Sequence, residues 1–297
     1  MAKTREIKKR IKAVGNIRRI TKTMQMIATS KFARAQAAAV ASKPYTRALF
    51  DLVAELAATI TDVTHPLLAS DRETRPGKPL TLVITSDRGL CGPYNGSVLR
   101  LAMNQLKTIP GLRDGLIELV GKKGAGFLKF AGVSVARQHA IGDKPNYETI
   151  QALAGEYIHR FMAGEVSSVR VVYMRYISAG KQTPEVLQLL PFQGQAATPA
   201  PDAAKTPDSS TNMIYEFSPD AQGLLDDLLP AAVKALLFQA FNDAVVSEHV
   251  ARMIAMKSAT DNAGKAGKKY TRIFNRARQS QITTELTEII SGAAALA

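Results

Sequence analysis

The chain has 297 residues, 46% of them hydrophobic, and a single cysteine, Cys91, which excludes an intramolecular disulfide and a cysteine-built zinc site. Its length supports one large domain or two modest ones. The net charge of +14 is uneven: residues 1–60 hold 13 Lys/Arg against 3 Asp/Glu, residues 247–297 hold 8 against 4, and the stretch between is balanced at 18 against 18.

Residues 3–60 have the pattern of one long helix. Ile7, Ile11, Val14, Ile17, Ile20, Met24 and Ile27 recur at gaps of three and four, a narrow apolar stripe. At 1.5 Å per residue this helix would be about 85 Å long, more than a compact domain needs. Pro44 is expected to kink it, and it should end near Thr61–Pro66. Residues 67–79, with prolines and charges, have the composition of a linker. The period then changes. Leu80–Thr85 predicts a strand, followed by the turn Ser86–Gly92 and a helix over Val98–Leu106. Leu116–Val120 predicts a second strand, followed by the turn from Gly121 and a helix. A third strand is expected at Val133–Ala136, a helix at Glu148–Met162, and a hairpin from Val169–Tyr176 and Glu185–Leu190. Strands alternating with helices argue for a βαβ sheet.

Residues 193–212 are rich in Gln, Ala, Pro, Thr and Ser and predict a mobile loop. Ser218-Pro219-Asp220 predicts a helix start, with Pro230 restarting the helix. From Ala231 onward about 60 proline-free residues give about 90 Å of helix. The domain division expected is therefore 1–62, 63–217 and 218–297. The terminal helices can pair antiparallel, and Ala259, Ala263, Ala266 and Gly267 permit their close approach.

A basic segment at each end implies a shared acidic partner. Lys3–Lys12 holds six Lys/Arg in ten residues, which fits a solvated face, nucleic acid or an acidic protein surface. The first aromatic is Phe32, so stacking platforms for single strands are missing there. Ser86–Gly92 and Gly121–Gly126 follow strands but fit neither phosphate-loop pattern, so turn chemistry is the simpler reading. Asp87, Arg88 and Asp143 form no recognisable acid–base set. His65, His139, His159 and His249 lack metal-ligand spacing, so no catalytic residue, cofactor or metal is expected. The basic start has no apolar stretch behind it and is not a secretory signal. No apolar run of about 18 residues is present to span a membrane.

Three stretches together resemble one family. They are Glu6–Lys12 through Ile20–Met26 to Gln36; Ser86-Asp87-Arg88-Gly89-Leu90-Cys91-Gly92; and Ala251–Met256 with Asn275–Gln279 and Ile282–Leu286. Thr183–Pro191 is similar too. All of these resemble, in order and over nearly the whole chain, the gamma subunit of bacterial rotary ATP synthases. The match begins at residue 3, which argues against a transit peptide. It departs at Pro93-Tyr94, where the family usually has glycine and leucine, and at Lys257 and Lys265–Lys269, which are unusually basic. One cysteine excludes the thiol switch of plastid members.

The resemblance implies an α/β fold with long helices: an antiparallel coiled coil of the terminal helices plus an inserted Rossmann-like α/β domain. It implies a non-catalytic shaft turning inside a ring of alpha and beta subunits. The epsilon subunit and the membrane rotor ring of c subunits would contact the inserted domain. The protein would sit peripherally at the cytoplasmic face of the bacterial inner membrane, held only through partners and binding no nucleic acid. By the same resemblance Arg278, Gln279 and Thr283 would contact the beta subunits. Met24 would either face an acidic beta loop or sit in the coiled-coil core.

Overall fold

The computed structural model describes residues 2–59, 65–68, 76–192 and 221–296. In chain order the elements are α1 (Ala2–Thr59), a 3-10 turn (Pro66–Leu68), β1 (Lys78–Ile84), α2 (Tyr94–Thr108), β2 (Leu116–Val120), α3 (Lys123–Phe130), β3 (Arg137–His139), α4 (Tyr147–Met162), β4 (Val166–Ser178), β5 (Lys181–Leu190) and α5 (Ala221–Leu296). They pack as two units. One is Met1–Ser30 with Arg252–Ala297, and the other is Lys31–Ala251.

The larger unit is built on a five-stranded sheet of order β3-β2-β1-β4-β5. The first four strands in that order are parallel, and β5 closes one edge antiparallel to β4. Alternation along the strands loads both faces. Leu80, Leu82 and Ile84 of β1 and Val169, Val171 and Tyr173 of β4 join one core with α4, Leu49 and Val53 of α1, and the stretch Leu225–Ala244 of α5. Val83, Ile117, Leu119, Val172 and Met174 face the other way into a second core with α2 and α3.

Among the buried carboxylates of this unit, Glu118 and Asp243 have opposite electrostatics. Glu118 on β2 is pushed up by burial, but bonds from three partners outweigh this and hold its carboxyl below its ordinary value. His139 Nε2 lies 2.6 Å away, the Tyr157 hydroxyl donates at 2.7 Å and Arg160 Nη1 donates at 3.1 Å. Asp243 on α5 is less well compensated. Gln239 Nε2 donates to it at 3.0 Å, and the charges of Lys43 and Arg175 favour its ionised form. Burial still wins and raises its pKa to about 6.

The expected strands at Leu80–Thr85 and Leu116–Val120, the helix at Glu148–Met162 and the hairpin are present within a few residues. The third strand is displaced: Val133–Ala136 is irregular, and β3 follows it. Val133 is tied to the end of α3 by its N–H to the Leu128 carbonyl at 2.9 Å, so pairing with β2 proper starts only at Arg137. Pro230 does not restart a helix, because α5 runs through it from Ala221. Buried Leu229, Ala232 and Val233 hold that turn in place. The ends of the expected linker carry structure: Leu67 is buried and its carbonyl accepts from Phe192 N, while Lys78 already belongs to β1. The predicted end of α1, the loop 193–212 and the start at Ser218–Asp220 fall largely or wholly outside the described residues.

The two carboxylates predict opposite responses. Glu118→Ala should cost about 3–5 kcal/mol in urea unfolding, because it leaves Arg160 and Tyr157 unpaired, whereas Tyr157→Phe should cost about 1 kcal/mol. The Glu118 contribution is present at neutral pH and is lost as pH falls through the depressed folded value. Asp243 has the reverse sign. Between about pH 4 and 6 the folded chain holds a proton that the unfolded chain has released, so stability falls as pH rises through that window. The advantage of Asp243→Asn over the parent should therefore widen by roughly 2–3 kcal/mol from pH 4 to pH 7.5, read from urea midpoints.

Candidate functional site

The smaller unit is an antiparallel pair formed by the start of α1 and α5 from Arg252 onward. The seam runs, among the buried or half-buried positions, through Ile7, Ile11, Val14, Thr21, Gln25 and Ala28 of α1 and through Met256, Thr260, Ala263, Gly267, Tyr270 and Phe274 of α5. Both series follow the alternating three-and-four spacing of a coiled-coil seam. Small residues bring the helices close: a Cβ added to Gly264 would stand 3.7 Å from Arg18 Nε, and one added to Gly267 would stand 3.9 Å from Val14 Cγ1. The centre of the seam is polar. Thr260 Oγ1 lies 2.8 Å from Thr21 Oγ1 and 2.8 Å from the Met256 carbonyl, and Thr21 Oγ1 donates to the Arg18 carbonyl at 3.1 Å. Near the end of the pair Thr4 Oγ1 donates to Gln281 Oε1 at 3.3 Å.

The expected stripe on α1 is corrected here. Ile7, Ile11 and Val14 point into the seam, but Ile17, Ile20 and Ile27 are 51%, 60% and 52% exposed. The seam passes through Thr21, Gln25 and Ala28, so these isoleucines form a separate outer apolar face. Beyond Gln281, every residue of α5 from Ile282 to Ala294 is exposed, including Leu286, Ile289 and Ile290.

Charge separates the units more sharply than it separates the ends of the sequence. The smaller unit holds 17 Lys/Arg against 4 Asp/Glu, and the larger holds 22 against 21. On α5 the exposed cations Lys265, Lys268, Lys269, Arg272 and Arg276 recur at helical spacing on the face opposite the seam. Arg10 pairs with Glu6 at 2.6 Å, but both are exposed, so the pair adds little stability.

The four residues singled out in the sequence fall in two places. Met24 is half-buried beside Thr21, at the margin of the seam. Arg278, Gln279 and Thr283 are exposed near the end of the paired stretch, where Thr283 Oγ1 donates to the Gln279 carbonyl at 3.0 Å. The level of α5 facing Thr21 is Thr260, about 30 Å along the helix from Arg278, so the structure does not bring Met24 to the other three. Sequence reading missed the outer isoleucines and the basic stripe. Spacing alone could have found the stripe, since its residues recur at three and four.

The glycine turns of the larger unit serve packing. A Cβ on Gly121, which has φ +85°, would meet the Thr85 carbonyl at 2.2 Å, and one on Gly124 would meet Leu119 Cδ1 at 2.7 Å. The amides at the position of a phosphate cradle already have protein acceptors: Lys123 N donates to the Ser86 carbonyl at 3.0 Å and Gly124 N to Thr85 Oγ1 at 3.2 Å. Asn95 holds the other turn, its Oδ1 accepting from Ser86 N at 2.9 Å and its Nδ2 donating to Ser86 Oγ at 2.8 Å. That turn presents Leu90, an exposed non-glycine residue at φ +66°. Lys31 of α1 reaches Asp143 at 2.6 Å and, with Arg88 and His249, holds that carboxyl below its ordinary value. Among the described residues no His/Cys/Asp/Glu group is placed to hold a metal, and no helix is long and apolar enough to cross a membrane.

A sequence profile of the family described as ATP synthase matches residues 3–296. The ATP synthase gamma chain of Rhodopirellula baltica is 40% identical over 298 residues, covering 100% of this chain and 99% of the relative. The chain belongs to the ATP synthase gamma family. The gamma chain of Polaromonas naphthalenivorans is also 40% identical, with 100% of both chains covered, and that of Desulfitobacterium hafniense is 38% identical at the same coverage. Among solved structures, a chain of the Euglena gracilis mitochondrial ATP synthase rotor superposes with a TM-score of 0.65 at 17% identity, covering 95% of this chain and 99% of that one. A chain of the Tetrahymena thermophila ATP synthase central stalk and c-ring gives 0.55 at 18%, covering 81% and 99%. At those identities the likeness shows that the gamma fold is shared: long terminal helices and an inserted α/β sheet.

The polar centre of the gamma seam is testable. Thr260→Val should cost about 1 kcal/mol and Thr21→Val a similar amount. The double variant should cost less than the two together, because no hydroxyl is left without its partner. A double-mutant cycle by thermal unfolding measures the coupling.

Proposed function

We propose that this gamma-family chain is the central rotor shaft of a proton- or sodium-translocating ATP synthase and performs no chemistry itself. Residues 1–62 and 218–297 would form the shaft, and 63–217 the inserted domain. The observation that carries this reading is the antiparallel pair, which is strongly basic outside and ends in a single exposed helix. Relatives 40% identical over their full length are gamma chains. Fold neighbours come from ATP synthase rotor, central-stalk and c-ring assemblies. A basic arm for nucleic acid is not needed to explain the charge.

The shaft would sit within a ring of three alpha and three beta subunits, its cations facing acidic beta loops. Long-range charge attraction suits a contact that must form and release on each turn, because it guides approach without interlocking side chains. The shaft is asymmetric and the ring nominally threefold, so each beta subunit meets a different face and takes a different conformation. Rotation then moves each site through its states, as differential contacts bias a switching element. The inserted domain would bear on the membrane ring of c subunits beside the epsilon subunit, placing the chain peripherally at the cytoplasmic face of a bacterial inner membrane. Arg278, Gln279 and Thr283 would be the contacts that catch the beta loops. Met24 would be a second contact, about 30 Å from these along the pair.

Purifying the tagged chain from its own membranes tests the reading, with alpha, beta and epsilon subunits expected in fixed ratio together with ATPase activity. Recovery with nucleic acid, or with none of those subunits, would overturn it. Arg278→Ala with Gln279→Ala should lower ATP synthesis in the assembled complex by at least about tenfold, since losing one charge-assisted and one neutral contact removes about 2–4 kcal/mol. It should shift the unfolding of the isolated chain by less than about 0.5 kcal/mol, since both side chains are exposed. Unchanged synthesis and hydrolysis in that variant would remove these residues from the contact.

A further inference from the structure

The outer layer of the sheet domain carries an unusual surface at α3. Lys123, Gly126, Phe127 and Phe130 fall at i, i+3, i+4 and i+7, so they form one line along this eight-residue helix. All four are exposed, and Phe130 is 92% exposed. Lys122 and Lys129 lie beside that line and are exposed as well. Residues 121–132 hold three lysines and no acid.

The glycines of α3 separate two roles. Gly124 is required from within, because its Cβ would strike Leu119 and Thr85. Gly126 is not: an added Cβ would meet nothing within 4 Å. Glycine inside a helix costs stability relative to alanine, and a helix this short has little to spare. Packing within the chain leaves Gly126 unexplained, whereas close approach of an outside group to the bare backbone explains it.

We propose that this stripe docks another protein subunit, one that offers an apolar hollow rimmed by carboxylates. Phe130 and Phe127 fill the hollow, the lysines meet the rim, and a partner side chain rests on the backbone at Gly126. A bilayer is the poorer fit. Two aromatics and three lysines give only marginal anchoring, and a bare helical backbone offers nothing to acyl chains. The inference uses the proposed function only in placing the partner within the same complex.

The test is site-specific photocrosslinking in the complex purified from membranes, with benzoylphenylalanine in place of Phe130. One adduct is expected, to a peptide of another subunit that contains Asp or Glu beside apolar residues. Adding Lys123→Glu and Lys129→Glu should lower its yield about tenfold, as should Gly126→Leu. Gly126→Ala should raise the melting temperature of the free chain while lowering the adduct yield. Adducts only to lipid, to this chain or to a second copy of it, or no adduct, would overturn the proposal. So would a yield indifferent to the Gly126 variants. Loss of alpha and beta subunits from the preparation would instead count against the rotor reading, while an adduct within whatever complex holds the chain would still test this surface.

Discussion

A helix of 58 or 76 residues is not held in water by its own hydrogen bonds; it persists where an apolar edge is covered. That requirement organises this molecule. The buried positions of α1 keep one three-and-four phase from Ile7 through Thr21, Ala28, Ala39 and Thr46 to Leu49 and Val53. The early members meet the distal half of α5. The later ones enter the core of the sheet unit. In the paired stretch the seam is narrow and lined by small residues, so burial there supplies contact without bulk. The threonine pair at its centre adds a polar rung, which disfavours slippage of one helix past the other because a shifted register would bury each hydroxyl against aliphatic groups.

The first two strands, the hairpin and a long helical pattern toward each end were legible because their signals are strong and local. β2 is an apolar run closed by a glycine, and α4 is amphipathic over four turns. What stayed hidden has physical reasons. β3 is Arg-Gln-His, a short edge strand held by its neighbour, and nothing in its composition separates it from a loop. The isoleucines at 17, 20 and 27 share the helical period with the true seam, and only the position of α5 decides which face is covered. Pro230 looked like a break because proline removes one backbone bond, but the surrounding core supplies more than that loss. Of the candidate site, Arg278, Gln279 and Thr283 came from resemblance, and no periodicity marks them. The basic stripe at 265–276 was visible as an excess of charge before it could be seen as a face.

The separation of charge follows the separation of units. The sheet unit is close to neutral, and its interior carboxylates are satisfied by nearby donors or hold a proton more tightly than usual. The helical pair carries nearly all of the excess positive charge with few acids to offset it. Self-repulsion along such a pair opposes its compactness, so the arrangement is most stable with counter-charge alongside. In this arrangement the outer isoleucines and the lysines of the pair both face away from the chain's own core.

The two helix-interior prolines, Pro44 and Pro230, both lie in the sheet unit. The paired stretches, residues 2–30 and 252–296, contain none. Each proline deletes a rung from the hydrogen-bond ladder and so marks a torsional soft spot. Pro230 is held by the buried Leu229, Ala232 and Val233, while the pair keeps its ladder free of proline gaps. Twisted about its long axis, such a pair meets no missing rung along its ladder at which the strain could gather.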